Sequence, residues 1–278
     1  MNGTIDLHTH STCSDGTLTP TELVKKAQDI GLSAIALTDH DTVDGLEEAF
    51  EAGRKYGVEV ISGIEFSVKA DTEMHLLGLD FSLDCPEIKK ILAEMIENRE
   101  TRNKKVIQKL ADIGISISGE DIRMEATSKV TGRSQIAKAM LKKGYVSSIR
   151  EAFDRYLSFG KPAFVTRKTL SPEKAIEIIK NSSGISSLAH LHQTKKTDDE
   201  LYEILSHLKK CGLDAIEGYY TEYTDDMNER YRKMAHDLGL KLSGGSDFHG
   251  TNKNNHELGT GSGNLSIPYE ILTELRKS

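Results

Sequence analysis

The stretch Asp6-Leu7-His8-Thr9-His10 indicates the fold of this chain, because it combines the alternation of a strand with ligand-type side chains. In an extended strand, residues two apart point to the same side. His8 and His10 can therefore present two imidazoles to one ion, while Leu7 turns into the packing. A lone His-x-His is more often an ordinary surface or core pair, so the prediction depends on what accompanies other strands.

Further ligand-type residues follow or open other apolar runs of the chain. They are Asp15, Thr38-Asp39-His40, Gly63-Ile64-Glu65-Phe66-Ser67, Met74-His75-Leu76-Leu77-Gly78, Ala189-His190-Leu191-His192 and Ser246-Asp247-Phe248-His249. Parallel α/β barrels and open sheets gather their chemistry at the carboxyl ends of the strands. Imidazole and carboxylate ligands suit Zn²⁺, Mn²⁺ or Fe²⁺, and a carboxylate can bridge two ions. The pattern predicts a catalytic metal cluster.

Apolar periodicity predicts strands that alternate with helices, with one interruption. The alternation runs from Ile5 to Leu79 and breaks at the turn Asp84-Cys85-Pro86, after which helical patterns dominate until it resumes at Phe164. We therefore predict an α/β barrel formed by residues 1–86 and 164–278. Residues 87–163 are predicted to form a helical insert, or lid, domain.

Composition is that of a soluble globular protein. The chain has 278 residues with 37% hydrophobic content, enough for a sizeable core, and no apolar run of membrane-spanning length. No basic and apolar leader is visible, which predicts no export. Three cysteines without a Cys-x-x-Cys pair predict a reducing compartment, and hence a cytoplasmic location. No obligate protein partner is expected.

The predicted insert differs from the rest of the chain in charge. Residues 87–163 contain 16 Lys and Arg against 10 Asp and Glu, or +6, which leaves −13 for the remainder of a chain whose net charge is −7. A basic cap over a carboxylate-rich metal site suits a small anion such as a nucleotide, whereas long nucleic acid would call for a broader basic surface. Ordinary solvation would by itself explain most of these lysines.

Three arginines of the insert are more specific. Arg99 and Arg102 fall on the apolar seam of a long predicted helix. That seam contains Ile88, Ile91, Leu92, Met95, Val106, Leu110 and Ile113. Guanidinium groups on such a face either pair with buried carboxylates or bind an anion, and we favour the anion because Arg matches phosphate oxygens bidentately. Arg133 is predicted at a helix start, which is a natural anion site.

The motifs together resemble those of the polymerase-and-histidinol-phosphatase, or PHP, superfamily of metal-dependent phosphoesterases, over nearly the whole chain. The resemblance rests on Asp-Leu-His-Thr-His-Ser at 6–11, Thr-Asp-His-Asp at 38–41, Gly-Ile-Glu-Phe-Ser at 63–67, Ala-His at 189–190 and Gly-Ser-Asp-Phe-His-Gly at 245–250. It implies a distorted (βα)7-type PHP barrel with a helical insert. Within the superfamily, the chain looks most like small bacterial nucleoside 3′,5′-bisphosphate phosphatases, some of which trim short RNA from the 5′ end.

The resemblance also implies a ligand set for two or three divalent ions of manganese, iron or zinc. His8, His10, Glu65 and Asp247 would hold one metal; Glu65, His75 and His190 a second; Asp15, His40 and His249 a third. Glu65 would bridge the first two. Many PHP proteins have a histidine where this chain has Asp15, which leaves the occupancy and the metal of the third site undecided.

The family more commonly has Ala-His-Pro where this chain has Ala189-His190-Leu191, and His192 follows. This is a second departure from the family. His192 is either a phosphate-contacting imidazole, conceivably the acid that protonates the leaving alcohol, or an ordinary loop histidine. Asp6 and Asp39 flank ligands, and either orient imidazoles or serve in capping and packing.

The function predicted from these observations is hydrolysis of a nucleotide phosphomonoester by a metal-bridging hydroxide, with Glu65, Asp247 and His192 as catalytic residues. Arg99, Arg102, Arg133 and His192 would bind the substrate, a nucleoside 3′,5′-bisphosphate or AMP. The alternatives are 5′-3′ trimming of short RNA, a histidinol-phosphate phosphatase, and a non-catalytic PHP scaffold, ranked last. No Gly-x-Ser-x-Gly and no P-loop motif occurs, so serine hydrolysis and P-loop chemistry are excluded.

Overall fold

The structure, a computed structural model, describes residues 3–125, 131–166 and 169–277. Its strands are β1 (Thr4–Thr9), β2 (Leu32–Leu37), β3 (Glu59–Ser67), β4 (His75–Leu79), β5 (Ile185–Leu188), β6 (Ala215–Tyr220), β7 (Lys241–Gly245) and β8 (Ile267–Pro268). Its helices are α1 (Pro20–Asp29), α2 (Leu46–Tyr56), α3 (Pro86–Asp112), α4 (Gly119–Met124), α5 (Arg133–Lys142), α6 (Ile149–Ala152), α7 (Pro172–Asn181), α8 (Asp198–Lys210), α9 (Asp225–Leu238) and α10 (Glu270–Leu275).

The eight strands form one sheet in the order β7-β6-β5-β4-β3-β2-β1-β8. The sheet is nearly closed into a barrel, because the chain beyond β7 returns to the end of β1. There the His10 amide donates to the Phe248 carbonyl at 2.9 Å, and the Asp247 amide donates to the His8 carbonyl at 2.9 Å. The predicted α/β barrel is confirmed, and its closure lies beside the histidines of β1.

The strand β4 departs from the regular parallel pattern. It pairs antiparallel with both β3 and β5, while β1, β2 and β3 are parallel neighbours, as are β5, β6 and β7. Because β4 runs in reverse, its first residue, His75, lies opposite Ser67 at the end of β3. A ligand at the start of a strand thus reaches the same edge as ligands at the ends of the others.

Helix starts follow local capping chemistry. Thr19 accepts a hydrogen bond from the Glu22 amide while Glu22 accepts from the Thr19 amide, and Pro20 occupies the first turn of α1. Thr197 and Glu200 form the same capping box at α8. These caps fix where the chain leaves each strand-to-helix loop, and so position the loops that carry the ligand-type residues.

The chain divides into two compact units, residues 1–90 with 169–278, and residues 91–168. In the second unit, buried apolar side chains from the second half of α3 to α6 and from the segment up to Ala163 form one core, which includes Val106, Leu110, Ile136 and Met140. Ile113, predicted on the apolar seam of α3, is 45% exposed, because α3 ends at Asp112 and Gly114 turns the chain at φ +84°. The predicted boundaries after residues 86 and 163 stay predictions.

Two local features differ from the sequence-based expectations. The sequence pattern predicts one helix over Ile149–Phe159, whereas the structure has α6 followed by a π-helical turn, Phe153–Leu157. The short strand β8 and the helix α10 have no counterpart among the predictions. Among the described residues, no helix is both long and apolar enough to cross a membrane.

Candidate metal centre

Residues from six strand ends meet at one edge of the barrel. His8 lies in β1 and His10 directly after it, His40 follows β2, Glu65 lies in β3, and His75 begins β4. His190 follows β5, and Asp247 and His249 follow β7. His190 and Asp247 adopt positive φ values of +27° and +55°. Such backbone costs roughly 1–3 kcal/mol per residue and is concentrated at functional sites.

Glu65 lies at the middle of this cluster and is 1% exposed. Its Oε1 lies 2.8 Å from His75 Nδ1, 3.0 Å from His190 Nε2 and 3.4 Å from His8 Nε2. Its Oε2 lies 2.9 Å from His40 Nδ1 and 3.3 Å from His10 Nε2. One carboxylate therefore faces five imidazoles, the arrangement expected of a bridging ligand.

Asp247 shares two of those imidazoles. Its Oδ1 lies 3.5 Å from His8 Nε2, 3.3 Å from His10 Nε2 and 3.3 Å from His249 Nδ1. His8, His10, Glu65 and Asp247 are thus brought together, as the resemblance implied for the first metal.

Asp15 gathers the third predicted group. Its Oδ1 lies 3.3 Å from His249 Nε2 and 3.8 Å from His10 Nδ1, and its Oδ2 lies 3.8 Å from His40 Nε2. The potential ligand atoms of His10, Asp15, His40 and His249 all lie within 4.8 Å of one another. Asp15 is 35% exposed at its side chain, so this group opens to solvent more than the Glu65 group does.

The donor set fits divalent ions. His8 Nδ1 donates to Glu217 Oε1 at 2.8 Å, which leaves the lone pair on Nε2 directed at the cluster. Within the described residues, His8 Nε2, both ring nitrogens of His10 and Glu65 Oε2 are buried without a hydrogen bond. Buried polar atoms rarely stay unsatisfied. Converging nitrogen and carboxylate donors of this kind are satisfied by metal ligation.

Burial and charge act in opposite directions on the carboxyl groups of the centre. Burial by itself raises the pKa of the Glu65 carboxyl, but the imidazoles of His40 and His75 outweigh it and hold that pKa well below its usual range. The pKa of Asp247 is lowered in the same way against its burial, chiefly by His8 and His10. Both groups are therefore carboxylates at neutral pH, the form that binds a cation.

Three residues that support the centre were not singled out from the sequence. Besides accepting from His8, Glu217 accepts a hydrogen bond from the His190 amide at 2.6 Å, so one buried carboxylate orients two ligand candidates. The Tyr220 hydroxyl donates to Asp247 Oδ2 at 2.7 Å, and the Lys253 ammonium contacts the same oxygen. These partners leave Asp247 Oδ1 to face the imidazoles.

Asp6 and Asp39 hold loops rather than imidazoles. Asp6 accepts from the amide and hydroxyl of Ser246 at 2.9 and 2.5 Å and from the Gly259 amide at 2.8 Å. Asp39 accepts from the amide and hydroxyl of Ser11 at 2.8 and 2.6 Å. Of the two roles that the sequence left open, the structure supports packing and capping of the loops that carry the ligands.

His192 lies near the centre but contacts none of the nine ligand candidates in a hydrogen bond. Its Nε2 lies 2.8 Å from Glu222 Oε2, and its ring packs 5.5 Å from those of Tyr220 and Tyr223. Its side chain is 20% exposed. The geometry therefore leaves its ring partly exposed and oriented by a carboxylate, and its predicted role stays a prediction.

The three predicted phosphate-binding arginines all belong to the helical unit. Arg102 is 6% exposed, and a Cβ placed on Gly132 would lie 3.6 Å from Arg99 Nη1. The Asn103 side-chain amide donates to the Thr131 carbonyl at 3.1 Å. Arg133 is the first residue of α5. These contacts bring Arg99 next to the start of α5.

Comparisons with known proteins agree with this geometry. The PHP domain family matches residues 6–246. A 5′-3′ exoribonuclease of Haemophilus influenzae is 35% identical over 90% of this chain and 91% of its own length. A 3′,5′-nucleoside bisphosphate phosphatase of Chromobacterium violaceum is 30% identical over 92% of this chain and 90% of its own. The crystal structure of a protein of Bifidobacterium adolescentis, proposed to be a metal-dependent phosphoesterase, matches 98% of this chain and 94% of its own at 28% identity and a TM-score of 0.84.

Proposed function

This chain belongs to the PHP domain family and is a metal-dependent phosphoesterase, and we propose that it removes the 3′-phosphate from nucleoside 3′,5′-bisphosphates. The observation that carries the proposal is the cluster around Glu65, whose two oxygens face five imidazoles. We propose that it holds two or three ions of manganese, iron or zinc on nine residues. They are His8, His10, Asp15, His40, Glu65, His75, His190, Asp247 and His249.

Each group of the centre has a defined task in this proposal. When bound, divalent ions would supply an activated water at neutral pH and positive charge for the phosphate oxygens. Glu65 and Asp247 remain carboxylates and hold the cluster together. Glu217 fixes the proton of His8 on Nδ1, and so keeps Nε2 free for ligation.

His192 is proposed as the group that protonates the departing 3′-oxygen. Its imidazole is partly exposed, and Glu222, whose Oε2 lies 2.8 Å from Nε2, holds the ring in one orientation. A proton donor of this kind typically contributes 10²- to 10⁴-fold to a rate.

Arg99, Arg102 and Arg133 are proposed to bind the phosphate that is not hydrolysed. The helical region that contains them is cationic, and Arg is the residue whose fork geometry matches phosphate oxygens. A relative named as a 3′,5′-nucleoside bisphosphate phosphatase supports a substrate with two phosphates.

A second candidate function is 5′-3′ trimming of short RNA by the same centre. It is favoured by the relative of Haemophilus influenzae, which is named as an exoribonuclease and is 35% identical to this chain. Both substrates end in a ribonucleoside 5′-phosphate, so the same arginines would bind either one.

The test is phosphate release by metal-reconstituted protein from adenosine 3′,5′-bisphosphate, AMP and histidinol phosphate, with nucleotide release from a 5′-phosphorylated RNA measured in parallel. We expect the bisphosphate to be preferred, His8→Ala to abolish turnover, and Arg133→Ala to raise KM while metal content is unchanged. Lys138→Ala, a change of another basic residue of α5, is the matched control. Cleavage of RNA alone, or of histidinol phosphate alone, would overturn the bisphosphate assignment.

A further inference from the structure

The helical unit carries an exposed aromatic side chain that its own packing does not explain. Phe159 is 85% exposed, the most exposed of the large hydrophobic side chains among the described residues. Full burial of such a ring would be worth about 1.5–3 kcal/mol, so its exposure leaves a large apolar surface available for binding.

The loop that presents Phe159 is held firmly on both sides. Leu157 before it and Ala163 after it are fully buried. The Lys161 amide donates to the Ser158 carbonyl at 3.0 Å, and the Ala163 amide donates to the Tyr156 carbonyl at 3.0 Å. The exposed ring therefore lies on a hydrogen-bonded turn, which lowers the entropic cost of binding through it.

Phe159 belongs to a short row of groups that begins at a proposed phosphate-binding arginine. The Arg133 guanidinium lies over the ring of Phe164, 5.6 Å from its centroid. The centroid of Phe164 lies 5.4 Å from that of Phe159, with the rings at 72°. Because Phe159 remains 85% exposed despite this contact, its ring surface is available to a flat partner. The row is short enough for one nucleotide to contact both ends.

We propose that Phe159 stacks on the nucleobase of the substrate while Arg133 binds its unhydrolysed phosphate. The proposal rests on the nucleotide substrate argued above and adds the residue that recognises the base. A cation one ring away from a solvent-exposed aromatic side chain is a combination that binds nucleotides without reading base identity. Phe159 is thereby a determinant of nucleotide over sugar phosphate, and not of one base over another.

The kinetic test compares a substrate with and without its base. Stacking is worth about 1–3 kcal/mol per base, so Phe159→Ala is expected to raise KM for adenosine 3′,5′-bisphosphate about 5- to 150-fold. The kcat should stay unchanged, because the base takes no part in breaking the phosphoester bond and its contact is made equally in the bound substrate and the transition state. For ribose 3,5-bisphosphate, which lacks the base, KM should not change, and Phe159→Trp should restore binding of the nucleotide. Met124→Ala, which removes another exposed apolar side chain of the same unit, is the matched control.

A fluorescence titration can test binding without turnover. Because the chain contains no tryptophan, the emission of an introduced one can be followed by itself. Phe159→Trp places a single tryptophan at the proposed contact, and its emission should be quenched saturably by adenosine 5′-monophosphate but not by ribose 5-phosphate. Met124→Trp should respond to neither. If the wild-type protein hydrolyses no phosphoester, the proposed function fails, but this titration still shows whether residue 159 stacks on a nucleobase.

Three outcomes would overturn the stacking proposal. One is an equal rise of KM for the two bisphosphates in Phe159→Ala, and another is no rise for either. The third is a change of oligomeric state in Phe159→Ala, measured by sedimentation, with KM unaltered. That result would assign the exposed ring to a contact between copies of the chain.

Discussion

At the scale of single residues, Glu65 is the group on which the centre most depends. Replacing it with Gln removes the negative charge that faces five imidazoles, so we expect loss of bound metal and at least a 100-fold fall in phosphate release. Metal content by mass spectrometry and turnover measured on the same preparations would test this. Glu59→Gln, at the other end of β3, should keep its metal, since Glu59 instead pairs with Arg276 at 2.9 Å. A Glu65→Gln protein with full metal and full activity would contradict the proposed role.

Replacing Glu217 should weaken metal binding less than replacing Glu65, because Glu217 acts through the histidines that it orients. Partners that orient a ligating histidine typically contribute 10- to 100-fold to metal affinity or activity. We expect Glu217→Gln to weaken metal binding by that factor while the protein stays folded, as measured by competition with a chelating dye and by circular dichroism. Glu222→Gln, in which the altered carboxylate contacts His192 and His256, should leave metal affinity unchanged. An equal loss in both variants would argue against the specific role of Glu217.

The sequence singled out the residues that the structure brings together around Glu65 but not the residues that support them, and the reason is physical. His8 and His10 carry a local signature, since strand alternation and spacing place both rings on one side. Glu217 has no such signature: its carboxylate meets His8 across 209 residues of chain, and only the folded barrel brings them together. Tyr220 and Lys253 likewise reach Asp247 through tertiary contacts.

At the scale of elements, the close approach of β7 to β1 fixes the position of His8. A Cβ on Gly245 would lie 2.4 Å from the Cβ and the amide nitrogen of His8, so a methyl group cannot fit without a backbone shift. We expect Gly245→Ala to cost roughly 1–3 kcal/mol of unfolding free energy, as overpacking does, and to lower metal content. Thermal melts and metal analysis would check both. Gly119→Ala, where the nearest atom would be 3.7 Å away, should affect neither.

The start of α4 gives a prediction on pH. A side-chain hydrogen bond from Lys143, together with the capping bonds of Ser118, lowers the pKa of Asp121 from 3.8 to about 2. A lowered folded-state pKa means that the stabilisation is complete above pH 3.8 and is lost as the pH falls through about 2. We therefore expect Asp121→Asn to lower the melting temperature at pH 6, and the difference from wild type to vanish near pH 2. Glu94→Gln, on the exposed side of α3, is the control, and a difference that grows on acidification would contradict the argument.

Helices and strands were predicted well where the apolar residues of one segment define them. They were missed where pairing with another strand determines the structure. The sequence pattern predicts a helix over Pro20–Ile30 and a strand over Ala34–Thr38, and the ends of α1 and β2 lie within two residues of these bounds. The reversed direction of β4 was not predicted, because a run of apolar residues does not encode the direction of its neighbours. The two-residue strand β8 is too short to show alternation and exists by pairing with β1.

At the scale of the whole molecule, charge and chemistry are divided along the chain. Every candidate ligand of the metal centre lies in the unit of residues 1–90 and 169–278, whereas the three arginines lie in residues 91–168. The carboxylate-rich unit suits cations, and the region of residues 87–163, with 16 basic and 10 acidic residues, suits anions. Changes of the candidate ligands should therefore alter metal binding, and changes of the three arginines should alter substrate binding, as separable effects.

Metal removal tests this division directly. A ligand that binds only the folded state stabilises it by about 2.7 kcal/mol at 100 times its dissociation constant. Chelation should therefore lower the stability of the barrel unit by about that amount. We expect hydrogen exchange to accelerate in β1, β3 and β7 and to stay unchanged in the second half of α3 and in α5, because these segments pack on a core of their own. Glu65→Gln protein should show no further change on chelation. Equal acceleration in both units would mean that the helical unit also depends on the metal for its stability, and that the two sets of effects are not separable.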